Sequence, residues 1–563
     1  MSAKIKVEML IYFSILSILY FLQYRHTQGF YIDTDNYMHA LRTIDFMQNP
    51  SFFEHKFMQT NYPFGEISHW TRLMDILMVI CSFPFLFFEN LKNAVFSGGF
   101  ILVPLCALTT LYFLQKTGTK WLSAKTRFAL YITLLVSAQF KMIYKINRPD
   151  HHAVIMALTA CLLWLLCQYI NSAHRKTIIL SAVICGLSLW LAPEGVFLYF
   201  CTLIFLYLGY VFLKFSYQSL VDFSFIYSIC CTFFWLINPP FQGYLYADNG
   251  RLSILFVILS AMIAGVIFMG KKISSKWRQF FFFSLCGTAC LLSLYFGNFL
   301  SSPLDASIKI AFVNRISEMK SGATFYYLAY PLLGIASLAA LFLNKQNYAK
   351  PLLLSCFLIP YTILSIVAMR FTAYAILFGI ITIAVWLEQK HFKSIKFAIL
   401  TLCLCLVEYI SFTIDALYRY DLAKPLPIAQ IADINYLKNY PFGEGAVVSD
   451  IFWAPQIIWF TDKPTVASPY HRNIEGIIDN HKILMSSNMF EVANLIKKHQ
   501  VGTIVLPINM DNEYYVNPAE NTDKLYGKMF SGKDYPTWLE EDKKTRAHNL
   551  IILKVIPENL PHE

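Results

Sequence analysis

Apolar residues run along most of this chain in unbroken blocks rather than at helical or alternating spacing. Such blocks begin near residues 7, 95, 127, 152, 177, 194, 222, 251, 279, 324, 351, 371 and 394. Each is about twenty residues long, enough to cross a bilayer core of roughly 30 Å as a helix. A fourteenth run, "LMDILMVICSFPFLFF" at 73–88, is shorter and ends in an aromatic cluster. Past residue 414 the pattern changes. "IADINYLKNY" before "GAVVSD", and "EVANLIKKHQVG" before "TIVLPI", read as helix followed by strand, and "NLIILKVI" (549–556) reads as a closing strand. The pattern predicts a polytopic α-helical membrane protein over 1–413, followed by a small α/β domain over 414–563.

Composition agrees with this class. Of 563 residues, 56% are hydrophobic and 14% charged, against about 25% charged in soluble globular chains. The N-terminal run has no small-residue cleavage site after it and reads as a retained first span. The net charge of +11 resides largely in loops between spans, which points to a membrane topology signal and away from nucleic-acid binding. With the N-terminus cytoplasmic and 73–88 not crossing, the basic loops "QKTGTKWLSAKTR", "HRK" (174–176), "GKKISSKWR", "NKQNYAK" and "EQKHFKSIK" all fall inside. If 73–88 crossed, all of them would face outward. The expectation is therefore thirteen spans, with 73–88 an interfacial or re-entrant part of a long first outer loop (25–94). A further outer loop spans 301–323, and the tail lies outside the cytoplasm. All thirteen cysteines, Cys81 to Cys405, lie in the apolar runs. They read as small packing residues between helices, with no structural disulfide.

That parity gathers acidic segments on one face: "YIDTDNYMHALR" (31–42), "NRPDHH" (147–152) and "NRISEMKSG" (314–322). Asp35, Asp150, His152 and Glu318 come from three separate outer loops. Asp150 and His152 are two apart, so on a regular helix they would face different ways. At an extended segment entering a helix, both can turn to one point. Oxygen ligands plus an imidazole suit a divalent cation, Mn2+ or Mg2+, the histidine favouring Mn2+. A cation would also offset the desolvation of these groups beside the membrane. Taken singly, each reads better as an ordinary polar residue of a solvated loop than as a ligand.

In order along the chain, these motifs resemble those of the catalytic subunit of oligosaccharyltransferase, a membrane glycosyltransferase of the GT-C type. "DTDNYMHALR" resembles the first-loop motif, which makes Asp35 the catalytic, metal-binding aspartate. "YPFGEISHWTRLMD" (62–75) resembles the segment that follows it in archaeal members. "PDHH" resembles the second Asp-x-Asp-type motif, Asp-x-His in archaeal members, with Asp150 and His152 as ligands. "ISEM" (316–319) resembles the fifth-loop motif, with Glu318 as its catalytic and metal-binding glutamate. "MRFTAYA" (369–375) resembles the Arg-Phe-Thr-x-Tyr-Ala motif, whose arginine contacts the lipid-linked phosphate; that position is Arg370. The resemblance implies a sugar donor on a polyprenyl phosphate or diphosphate, a resident cation and an inverting transfer. It implies a location in a prokaryotic plasma (inner) membrane. His39, four after Asp35, and His151 are supporting candidates.

The tail departs from the family. In place of Trp-Trp-Asp-Tyr-Gly, which reads the Ser or Thr two after an acceptor asparagine, stands "DIFWA" (450–454). Asp450 and Trp453 are what remains, and "DNHKILM" (479–485) only loosely resembles a neighbouring Asp-x-x-Lys motif. His471 and Arg472, in "PYHRNIEG" (469–476), are further candidates for the acceptor side or a surface turn. The acceptor stays open among protein, lipid and glycan, without the Asn-x-Ser/Thr readout. A transporter or flippase of lipid-linked sugars and a non-catalytic relative are the competing readings.

Overall fold

The computed structural model describes residues 3–27, 29–53, 55–296, 321, 325–343, 348–389, 406, 409, 427–508 and 518–561. Twelve of the thirteen expected span positions are helical: α1 (Ala3–His26), α4 (Leu91–Trp121), α5 (Ala124–Val136), α7 (His151–Ser172), α8 (Arg175–Leu191), α9 (Val196–Phe212), α10 (Tyr217–Ile237), α11 (Ile254–Gly270), α12 (Lys276–Phe296), and the helices Phe325–Leu343, Ala349–Val367 and Thr372–Gln389. The position near 394 and the 301–323 loop, Ser321 excepted, lie outside the described residues. Seven of the described helices are long and apolar enough to cross a membrane, and three shorter apolar helices accompany them. The expected span near 127 is not one rod: Ser137 takes an extended ψ of 129° and divides α5 from the short α6 (Ala138–Ile143).

Between α1 and α4 lie two helices that do not belong to the apolar set. Polar α2 (Thr34–Gln48) is buried over its first ten residues except Asp35. The 73–88 run forms α3 (Arg72–Ser82) and a 3-10 turn, Phe83–Phe87. Eleven residues rise about 16 Å, roughly half a bilayer core. Asp75 is fully buried and fixes α3 to α2, receiving Arg42 at 2.9 Å and Arg72 at 3.1 Å.

Chain reversal sorts the helix ends by chemistry. One end carries the starts of α2, α7, α9 and the helix Thr372–Gln389. The other carries the starts of α1, α5, α8 and α10, with pairs Glu8–Arg127 (2.9 Å) and Arg175–Asp222 (2.6 Å). The basic loops 115–127, 174–176 and 271–278 all belong to this second end. Outward apolar side chains, such as Phe225, Ile229 and Phe233 on α10, recur one turn apart, as a lipid-facing stripe requires. Inside, backbones approach at glycine: a Cβ on Gly379 would lie 2.6 Å from the Tyr330 carbonyl oxygen, so this pair of helices packs closely.

The tail has its own layer structure. β1 (Ala446–Val448) runs parallel to β2 (Val501–Pro507), and β4 (Leu550–Val555) lies antiparallel between β2 and β3 (Leu539–Glu541), in the order β1-β2-β4-β3. The helix-then-strand reading of 431–450 and 491–508 and the closing strand match these elements. The tail is not held apart from the bundle. Ile458, Trp459 and Tyr470 belong to the bundle's own core, and Thr34 Oγ1 donates to the Phe452 carbonyl at 2.8 Å.

Candidate active site

Two loop segments laid side by side bring the site together. The Ile32 N–H donates to the Asn147 carbonyl at 3.1 Å, and Asn147 Nδ2 donates to the Phe30 carbonyl at 2.9 Å. Asn36 Nδ2 adds a bond to the Pro149 carbonyl at 3.2 Å. Each segment ends in an extended aspartate cap, Asp33 for α2 and Asp150 for α7. Asp150 Oδ1 accepts the His152 N–H at 3.4 Å and lies 2.7 Å from His151 Nδ1. Arg148 approaches its other oxygen at 3.2 Å. Burial pushes the Asp150 carboxyl up, but the neighbouring His151, His152 and Arg148 outweigh it and hold it well below the usual carboxylate range.

His39 arrives from α2, one turn after Asp35. Its ring is fully buried and packs on Trp70 with centroids 4.4 Å apart. Among the described residues, neither ring nitrogen has a hydrogen-bond partner. Burial lowers its pKa to about 3, so the ring is neutral and offers a lone pair. One ligand atom from each of His39, Asp150 and His151 lies within 4.8 Å of the others, the single such group among the described residues. A buried imidazole with no partner has given up water without compensation. A carboxylate and two imidazoles converging on one point are a donor set that a divalent cation fits.

This trio shares Asp150 with the ligand set expected from sequence and adds His39 and His151, which had been given supporting places. The His152 ring lies 4.3 Å from that of His151 and stands beside the trio; half-buried Asp35, one turn before His39 on α2, accepts a hydrogen bond from the Tyr470 hydroxyl at 3.1 Å. Glu318 lies outside the described residues. Arg370, in the turn Met369–Phe371, pairs through Nη1 with Glu194 in the turn Pro193–Gly195 before α9. Glu194 also lies within electrostatic reach of His151 and His152. Sequence reasoning did not single it out, although "LAPEGV" (191–196) places one acid between two apolar runs.

The four tail candidates divide. Asp450 caps a turn by accepting the Phe452 N–H at 2.8 Å, and Trp453 is buried with Leu437, Val447 and Ile457 in the tail's interior. His471 and Arg472 reach the bundle. His471 packs against His69 with ring centroids 4.7 Å apart, and Arg472 pairs with Asp248. Burial, with Arg472 beside it, lowers the His471 pKa to about 4.

The fold has solved counterparts. Oligosaccharyltransferase AglB of Archaeoglobus fulgidus, in complex with an inhibitory peptide and a dolichol-phosphate, superposes with a TM-score of 0.67 at 15% identity, over 93% of this chain and 72% of that one. The chain has an oligosaccharyltransferase fold. The apo form from the same organism gives a TM-score of 0.64 at 13% identity, covering 94% of this chain and 79% of that one. A complex with Zn and sulfate gives 0.61 at 15%, covering 88% and 66%. No family model matches the sequence, and no curated protein matches it. The likeness of this oligosaccharyltransferase fold is thus carried by architecture.

Proposed function

We propose that the chain is a metal-dependent glycosyltransferase that moves a sugar or oligosaccharide from a polyprenyl phosphate or diphosphate to an acceptor on the extracytoplasmic face of a prokaryotic plasma membrane. The convergence of His39, Asp150 and His151, beside Asp35 and the Glu194-held Arg370, at one end of an apolar bundle carries this reading. His39, Asp150 and His151 would hold the cation, with Asp35, His152 and Glu318 as further candidates from the resemblance. Two imidazoles make an all-oxygen Mg2+ site a poor description and favour Mn2+ or another ion of that kind; a solved neighbour carries Zn and sulfate. When bound, the cation supplies positive charge against a phosphate leaving group.

The remaining chemistry falls to side chains. Arg370 presents a planar fork to phosphate oxygens, and Glu194 fixes the direction of that fork. Asp35 orients the attacking group of the acceptor toward the anomeric carbon. The basic loops at the far end of the bundle support a site end outside the cytoplasm. An amphipathic donor explains the location: its tail stays in lipid while its phosphate and reactive carbon meet the site at the span ends. A lipid-linked-sugar transporter would need charged side chains in mid-membrane. Among the described spans Asp, Glu, Lys and Arg lie at or near the ends, which favours the enzyme. The buried, partner-free His39 argues against a non-catalytic relative.

The acceptor is not read through Asn-x-Ser/Thr, since the aligned tail segment turns Trp453 into its own interior. Deleting the gene and profiling protein, lipid and envelope glycans by mass spectrometry tests the function. Complementation with the wild-type chain should restore one glycan that the Asp35→Ala chain does not; restoration by both would refute the reading.

A further inference from the structure

The tail crosses the site through one short segment, 468–473, and alternate side chains along it each meet a carboxylate from a different part of the bundle. Ser468 Oγ donates to Glu66 of the first loop. Tyr470 donates to Asp35 Oδ1 at the start of α2, at 3.1 Å. Arg472 pairs with Asp248, between α10 and α11. The segment is closed on itself, because Asn473 Nδ2 donates to Ser468 Oγ at 3.2 Å and Asn473 Oδ1 caps the next helix through the Gly476 N–H, also at 3.2 Å.

Only the middle clasp ends on a group assigned a part in the chemistry. Tyr470 is 4% exposed. Trp70 packs edge-on against it at 4.7 Å and His69 lies at 5.6 Å, so the phenol is held on two sides. Trp70 also carries His39 on its other contact, at 4.4 Å. Tyr470, Trp70 and His39 form one packed train from the tail to the metal trio. An O–H aimed at a carboxylate oxygen fixes the rotation of that carboxylate, and a bond of this kind to a charged group amounts to about ten- to a hundredfold in an equilibrium or rate.

We propose that Tyr470 is a positioning residue: it fixes the Asp35 carboxylate for the incoming acceptor and makes docking of the tail a condition of transfer. The inference rests on the reading of Asp35 given above. It also assigns the tail a part in the reaction that "DIFWA" does not fill, delivered by a different segment of the same domain.

The test uses membranes of the deletion strain carrying full-length wild-type or variant chain and metabolically labelled polyprenyl-linked sugars. Label leaving the lipid fraction is divided between macromolecular product and free sugar, the product of water acting as acceptor. Tyr470→Phe should lower product formation about ten- to a hundredfold and raise the free-sugar share, with donor KM, chain abundance and thermal unfolding as in wild type. Ser468→Ala, which releases a neighbouring clasp without touching Asp35, should stay within about threefold of wild type. Wild-type rates and partition in Tyr470→Phe would overturn the inference. So would an equal loss in Ser468→Ala, or a loss in Tyr470→Phe explained by falling abundance, since either makes the segment a tether. Failure of the wild-type chain to discharge any labelled lipid would instead overturn the glycosyltransferase reading itself.

Discussion

His39 offers the sharpest test of the proposed metal site, because its two expected effects have opposite sign. Its imidazole is 0% exposed, and both nitrogens are without hydrogen-bond partners among the described residues. A buried unsatisfied polar group destabilises a fold by about 1–3 kcal/mol. Leucine has similar bulk and no polar atom, so His39→Leu removes that penalty. It also removes the ring contact with Trp70, worth about 0.5–1 kcal/mol. In EDTA the variant should therefore be as stable as wild type or more so, by up to about 2 kcal/mol. With Mn2+ the order reverses. At a hundred times Kd, binding adds about 2.7 kcal/mol to the wild type. Altering even a partner of a metal ligand weakens affinity about 10- to 100-fold, and losing a ligand does at least that. At the same Mn2+ concentration a hundredfold loss leaves about 0.4 kcal/mol. Thermal unfolding of the purified chain in detergent, followed by tryptophan fluorescence with EDTA or Mn2+, reads both signs. A variant clearly less stable than wild type in EDTA, yet still shifted by Mn2+ to the wild-type extent, would show that His39 is a packing residue.

Three further outcomes follow from the same geometry. Glu194→Gln leaves Arg370 without its charged partner; donor affinity should fall about tenfold, a scale set by one charge-assisted hydrogen bond, and titration of the purified chain with polyprenyl phosphate measures it. Unchanged affinity would separate the ion pair from donor binding. Asp75→Asn leaves Arg42 and Arg72 buried against a neutral amide at a position with 0% exposure, which should destabilise the chain by about 3 kcal/mol and show as lost abundance and earlier unfolding. Glu66 carries the pH prediction. Burial raises its pKa from 4.5 to about 7, so between those values the folded chain holds a proton that the unfolded chain has lost. Stability should decline as pH rises from 4.5 to 7, by at most about 3 kcal/mol at 1.36 kcal/mol per unit; Glu66→Gln should flatten that slope, and an unchanged slope would refute the assignment.

The membrane class, the helix positions and the helix-then-strand tail were legible because each rests on local pattern: long apolar runs, basic loops, and a switch of period after 414. The break at Ser137 was passed over, although Ser137, Gln139 and Lys141 interrupt the apolar run of "YITLLVSAQFKMI" (131–143) at that point. In the site, Asp150 was legible as an acid entering an apolar run. His39 was undervalued because its importance lies in an absent hydrogen bond, and absence of a partner has no sequence signature. Glu194 and Tyr470 were missed for another reason: their partners, Arg370 and Asp35, are 176 and 435 positions away, so only the folded chain defines them. Asp450 and Trp453 were read by alignment to a motif, whereas their surroundings in the tail give them capping and core roles.

Why the charged groups gather at this end also has a backbone cause. The helices that supply Asp150, Glu194 and Arg370 all begin here, through the Asp150 cap and the turns Pro193–Gly195 and Met369–Phe371. Helix starts expose unpaired N–H groups and the positive end of the helix dipole. Asp150 answers the field of α7 as its cap and remains ionised while buried, which a carboxylate in an apolar bundle could not do unaided. The same field favours an anionic phosphate drawn from the lipid side. The opposite end also carries helix starts, those of α1, α5, α8 and α10, beside Lys and Arg loops, but among the described residues it holds no buried carboxylate–imidazole set. What distinguishes the two ends is therefore the convergence of His39, Asp150 and His151, with the helix starts adding to it. Replacing Asp150 by asparagine would keep the cap and remove the charge, so a chain that folds normally but loses its Mn2+ shift would separate the two roles in one measurement.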